Sequence, residues 1–140
     1  MIEQGFTIGD NDWTFEVYYD VKHRNLYDIR RVLMRSGCTR EDTEKACDAL
    51  SAYDSGYTFT NFKRHLTIMV MSRTTSAEQM YDSISHERRH ATDHIGEYYN
   101  LRPNGETIAY LQGEIARKMF PAAALTICRD YGTRKTNNKG

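Results

Sequence analysis

The stretch from Ser76 to Asn100 constrains this chain more than any other. Ser76 offers an N-cap hydroxyl, and Gln79 three residues on completes a Ser-x-x-Gln capping pattern. A long helix is predicted from there to about Tyr99. Asn100 and Pro103 break it, and Pro103–Gly105 supplies a turn. Just ahead lies His65–Ser72, "HLTIMVMS", a dense apolar run that reads as a buried strand. A long capped helix following a buried strand demands a layered domain, and the remaining segments have to fit around that pair.

They do so in a definite order. Thr14–Tyr19 alternates and is rich in β-formers, which predicts a strand. Leu26, Ile29, Leu33 and Met34 recur at helical spacing, and Gly37 supplies a stop. The next helix starts at Thr39, with Asp42 in the capping-box position, or simply among the acids Glu41, Asp42 and Glu44. It runs to about Tyr53, and Asp54–Gly56 ends it. Tyr57–Phe62 alternates aromatic and polar residues like a half-buried strand, and "NFKR" suits a hairpin turn into the His65–Ser72 run. A last helical segment starts near Glu106, is divided by Pro121 and continues to about Asp130, with a frayed tail over residues 131–140. The expectation is one α+β domain spanning residues 1–140, a small sheet backed by a helical half.

Nineteen basic residues balance nineteen acidic ones, which leaves no electrostatic footprint for nucleic acid or an anionic membrane surface. Cys38, Cys47 and Cys128 are odd in number and form no CxxC pair, which argues against a disulfide framework and a cysteine zinc site alike. They read as idle or buried thiols of a reducing compartment. The N-terminal stretch is polar, with no signal peptide, and no apolar run approaches a membrane span. A soluble cytoplasmic protein is expected.

Inside the long helix, His86–His90 spells "HERRH", an HExxH match. With about 100° per residue, His86 and His90 differ by only about 40° and stand one turn apart, so two imidazoles can converge on one zinc ion. Glu87 stands about 100° from His86, poorly aimed for the same tetrahedron but able to lean over a water as general base. A chance match is expected in roughly one such sequence per hundred, so placement in a capped helix behind a buried strand adds weight. The plain alternative is the solvated face of a polar helix, since Arg88, Arg89, Asp93 and Glu97 are charged.

A third ligand is needed. His94 completes an i, i+4, i+8 row, but eight residues of helix span about 12 Å, too far for His86 and His94 to share an ion. Glu106 lies beyond the turn, in the first turn of the next helix, where an antiparallel return faces a carboxylate toward the pair. Glu114 and Glu97 are weaker rivals.

"HERRH" followed by "ETIAYLQGE" (Glu106–Glu114) resembles the gluzincin clan of zinc metallopeptidases, especially its small single-domain members, the minigluzincins. The resemblance covers Ser83 to about Glu114. It implies a zincin-like fold, zinc held by His86, His90 and Glu106, and water activated by Glu87. It also implies that the strand before the motif helix lines the cleft and pairs with an extended peptide substrate. The clan's larger members often carry a carboxylate four residues after the ligand glutamate, where this chain has Tyr110. Asp93 is a possible substitute partner for His86. A phenol at Tyr110 is a candidate for polarising the scissile carbonyl. The metzincin pattern fails at Asp93 and Gly96.

The expectation is therefore a small zinc metallopeptidase acting on a peptide or protein, with Zn²⁺ as cofactor and no nucleic-acid or membrane partner. The rivals are a metal-stabilised, non-catalytic zincin fold that binds a partner, and a metal-free regulatory domain.

Overall fold

An apolar run too dense to alternate belongs between two packed layers, and strand β4 (Leu66–Ser72) is buried at every residue. The computed structural model describes residues 1–128. Around β4 it sets β1 (Ile2–Ile8), β2 (Trp13–Val21), α1 (Leu26–Arg35), α2 (Arg40–Leu50), β3 (Gly56–Asn61), α3 (Ala77–Tyr98) and α4 (Glu106–Ile127), with a 3-10 turn at His23–Asn25. The sheet runs β1-β2-β4-β3, with β2 and β4 parallel and the outer pairs antiparallel. Over the described residues the fold is α+β: a small mixed sheet with four α-helices.

Strand alternation sorts side chains to the two faces. Phe15, Val17, Tyr19, Met69 and Met71 meet Met80, Ile84, Ala91 and Ile95 of α3 and Ile115 and Met119 of α4. Tyr18, Val21, Leu66, Ile68 and Val70 meet α1 and α2 through Leu26, Ile29, Leu33, Ala46 and Leu50. Helices thus cover both faces, where the sequence suggested one helical half.

Local signals hold at the helix starts: Thr39 accepts the Asp42 N–H and Ser76 accepts the Gln79 N–H. Asn100 ends α3 in the left-handed region at φ 55°. The predicted β3–β4 hairpin is formed, pairing Gly56 with Met71 through to Asn61 with Leu66. One strand was unforeseen, and one expectation is corrected. The polar N-terminal stretch is strand β1, because β2 offers it a free edge and Phe6 stacks on Phe15 at 4.9 Å. Pro121 does not divide the last helix, which runs unbroken from Glu106 to Ile127, its two halves anchored by buried Ile115, Met119 and Thr126. The expected helical continuation to Asp130 and the frayed tail lie outside the described residues.

Candidate functional site

Helix α3 offers three faces. Met80, Ile84, Ala91 and Ile95 sit on the sheet. Gly96 takes the close approach of α4: a Cβ there would run into the Ile108 side chain. The row His86, His90 and His94 occupies the face left over, alongside edge strand β3.

His86 and His90 are exposed, and their Nε2 atoms lie 3.1 Å apart. Two nitrogens bound to one tetrahedral zinc at about 2.0–2.1 Å each would be about 3.3 Å apart. The pair therefore fits two positions of such an ion.

Glu87 lies beside this row, turned in toward β3, and is only 4% exposed. Its Oε1 accepts the Thr58 hydroxyl at 2.8 Å. Its Oε2 lies against the Gly56 backbone, where an added Cβ would sit 2.6 Å away. β3 presents Gly56, Thr58 and Thr60 toward α3 because alternate residues share a face, while Tyr57 and Phe59 pack toward α1 and α2. Burial raises the proton affinity of Glu87; the Thr58 hydrogen bond and the neighbouring His90 and His86 oppose that shift. Next along, His94 Nδ1 lies 2.9 Å from Thr60 Oγ1.

Gly56, Thr58 and Thr60 were missed from sequence. Their signal was the i, i+2, i+4 row of small residues in "GYTFTN", which marks the strand face able to admit polar side chains.

Glu106 is not brought to the pair. The Gly96–Ile108 contact sets the antiparallel register, which places Glu106 level with Tyr98, about 12 Å along the α3 axis from His90. Glu106 is also about 160° around α4 from Ile108, on its exposed outer face. Glu114 is elsewhere too, accepting the Gly9 N–H at 3.1 Å. Among the described residues no three His, Cys, Asp or Glu side chains are gathered as a metal-holding group.

Other assignments shift as well. Tyr110 is 74% exposed and lines a cavity of about 250 Å³ with Asp12, Trp13 and Tyr99, away from the histidine row. Asp93 pairs with Arg89 at 3.0 Å and does not serve His86. Strand β4 cannot add a substrate strand, since β2 and β3 flank it; the edge beside the histidines is β3. His65, without an evident partner in the sequence, has both ring nitrogens engaged, by Asp12 and by the Tyr98 hydroxyl at 3.0 Å.

Among the described residues no helix is long and apolar enough to cross a membrane. Comparison with protein-family models, with curated proteins and with solved structures finds no match.

Proposed function

We propose that the chain is a small zincin-like, zinc-dependent hydrolase acting on peptide bonds, with the His86–His90 pair as its metal anchor. The carrying observation is the 3.1 Å separation of two exposed Nε2 atoms on one helix face, with a buried carboxyl on the adjoining residue. When bound, zinc supplies Lewis acidity that acidifies water and polarises a carbonyl. His86 and His90 would hold the ion through Nε2. Glu87 takes a proton at Oε2, the oxygen that Thr58 leaves free, and burial makes this carboxylate a stronger base than an exposed one. The free edge of β3 suits an extended peptide, whose backbone would add to the sheet. Glu106 serves as third ligand only if the first turn of α4 moves toward the pair.

A second reading, a metal-binding domain without turnover, draws on two observations. Glu87 is tied to Thr58, and among the described residues no third ligand is gathered.

The test begins with elemental analysis and a zinc titration followed by thermal melting. About one zinc per chain, lost in His86→Ala and His90→Ala, is expected; no uptake and no change in melting temperature would sink the metal reading. Glu106→Ala then asks whether α4 closes: zinc affinity unchanged from wild type removes Glu106 from the ligand set. Glu87→Gln, screened against a peptide library, separates the two functional readings. The mutant should keep zinc and lose on the order of 10²–10⁴-fold in rate. Zinc binding without any Glu87-dependent cleavage favours the binding domain.

A further inference from the structure

Four side chains form a hydrogen-bonded line that crosses the sheet and ends at the histidine row. Trp13 Nε1 meets Thr67 Oγ1 at 2.9 Å, Thr67 Oγ1 meets Thr60 Oγ1 at 3.0 Å, and Thr60 Oγ1 meets His94 Nδ1 at 2.9 Å. Thr60 and Thr67 are register partners on β3 and β4, so the line runs from β2 through two adjacent strands to α3.

Its direction follows from chemistry. An indole N–H only donates, so Thr67 accepts from Trp13. Thr67 is fully buried, and among the described residues its hydroxyl meets only Trp13 and Thr60. Its proton therefore goes to Thr60 Oγ1. Thr60 has one proton of its own, and that proton goes to His94 Nδ1. The reverse order, with His94 donating from Nδ1 and Thr60 donating to Thr67, strands the Thr67 proton in a dry core with no acceptor, which incurs the full desolvation penalty. Burial, with His90 nearby, also lowers the proton affinity of His94 against the pull of Glu97 and Asp93, in keeping with a neutral ring.

We infer that His94 is held as the Nε2–H tautomer and stands beside the His86–His90 pair as a fixed hydrogen-bond donor to an acyl oxygen, not as a metal ligand. A nitrogen carrying a proton has no lone pair for a metal. Nδ1 faces β3, so Nε2 lies on the side of the ring turned from the sheet. His94 is one helical turn, about 6 Å, beyond His90. Its ring centroid is 6.5 Å from that of His90 and 6.2 Å from that of Phe62. Such a donor adjoins the pair at which a carbonyl or hydroxamate oxygen would bind, whereas Tyr110 lines the cavity beside Trp13 and Tyr99. The donor role rests on the zinc reading; the tautomer does not.

Long-range ¹H–¹⁵N spectra of the imidazoles in the metal-free, ¹⁵N-labelled protein test the tautomer directly. His94 should show a protonated Nε2 and an unprotonated Nδ1; the opposite pattern overturns the inference. Thr60→Val should loosen this into a mixture of tautomers, and Thr60→Ser should restore it. One equivalent of zinc should then shift the Nε2 signals of His86 and His90 and leave His94 unchanged. A metal-type shift at His94 Nε2 overturns the inference. Silence at His86 and His90 with His94 still in the stated tautomer sinks the metal reading and supports the tautomer. Acetohydroxamate binding to the zinc-loaded protein reads the donor: His94→Phe should weaken it about tenfold, as for one lost hydrogen bond, and equal binding removes the donor role.

Discussion

Histidines beside the C-terminal end of helix α3 and along its middle are treated in opposite ways. Near its C-terminus, His65 is stacked on Trp13 at 4.6 Å and hydrogen-bonded through both ring nitrogens, and Asp12 also takes the Tyr99 hydroxyl. That cluster is saturated. It ties the β1–β2 and β3–β4 turns to the end of α3, and it keeps His65 at a backbone φ of 49°, a conformation a non-glycine residue adopts only when its surroundings insist. Three turns back, His86 and His90 are exposed, and their one hydrogen-bond contact among the described residues is with each other. Polar groups spent on internal partners stabilise a fold; polar groups held in place with spare capacity are what a site needs. The contrast assigns stability to the C-terminal end of α3 and chemistry to its middle turns.

Mutations can break this contrast or sharpen it. The largest effect is expected at the saturated end. Trp13 is 1% exposed, and Trp13→Ala should cost about 3–5 kcal/mol of unfolding free energy in urea. A loss below about 1 kcal/mol would mean that the aromatic cluster does not carry the fold.

The next effect joins fold and site. Gly56→Ala drives a methyl into the Glu87 carboxyl, and a cost of about 1–3 kcal/mol is expected, as for other overpacked positions. The same substitution in a Glu87→Ala background should cost much less, since the clashing group is gone. Equal costs in the two backgrounds would show that Gly56 is not there for Glu87.

A smaller effect concerns pH. The folded-state proton affinity of Glu87 is raised above its ordinary value of 4.5, so the folded protein holds this proton more tightly than the unfolded chain does. Stability from this group is therefore fully present below about pH 4.5 and is lost as pH rises through the folded-state value. Metal-free Glu87→Gln, which keeps the Thr58 contact without the charge, should gain stability relative to wild type across that window. Melting curves at successive pH values check it, and a difference that is flat with pH removes burial as the controlling influence on Glu87.

The smallest effect is the sharpest test of the contrast. In metal-free protein, His86→Ala and His90→Ala should each change stability by no more than about 0.5 kcal/mol, the range of surface substitutions without special contacts. A larger loss would make the pair part of the scaffold.

Local chemistry was enough to determine much of this molecule. Side-chain caps at Thr39 and Ser76, the stop at Asn100 and the alternation of Tyr57–Asn61 act within a few residues, so the helices, the hairpin and the one-turn pairing of His86 with His90 were legible from the chain alone. Strand β1 was not, because its pairing energy comes from β2 and not from its own polar residues. Pro121 misled for a related reason: tertiary packing on both sides of it outweighs one missing backbone hydrogen bond. The surroundings of the motif were likewise a tertiary decision. Spacing along a chain cannot say on which side of α3 the returning helix packs; the Gly96–Ile108 contact places it away from the histidines and carries Glu106 and Tyr110 with it. Nor can it say that the strand before the motif becomes an interior strand while β3, one hairpin turn earlier, becomes the edge that holds Glu87 and His94. Periodicity settles which residues share a face, and only the packing of elements distant in sequence settles what that face meets.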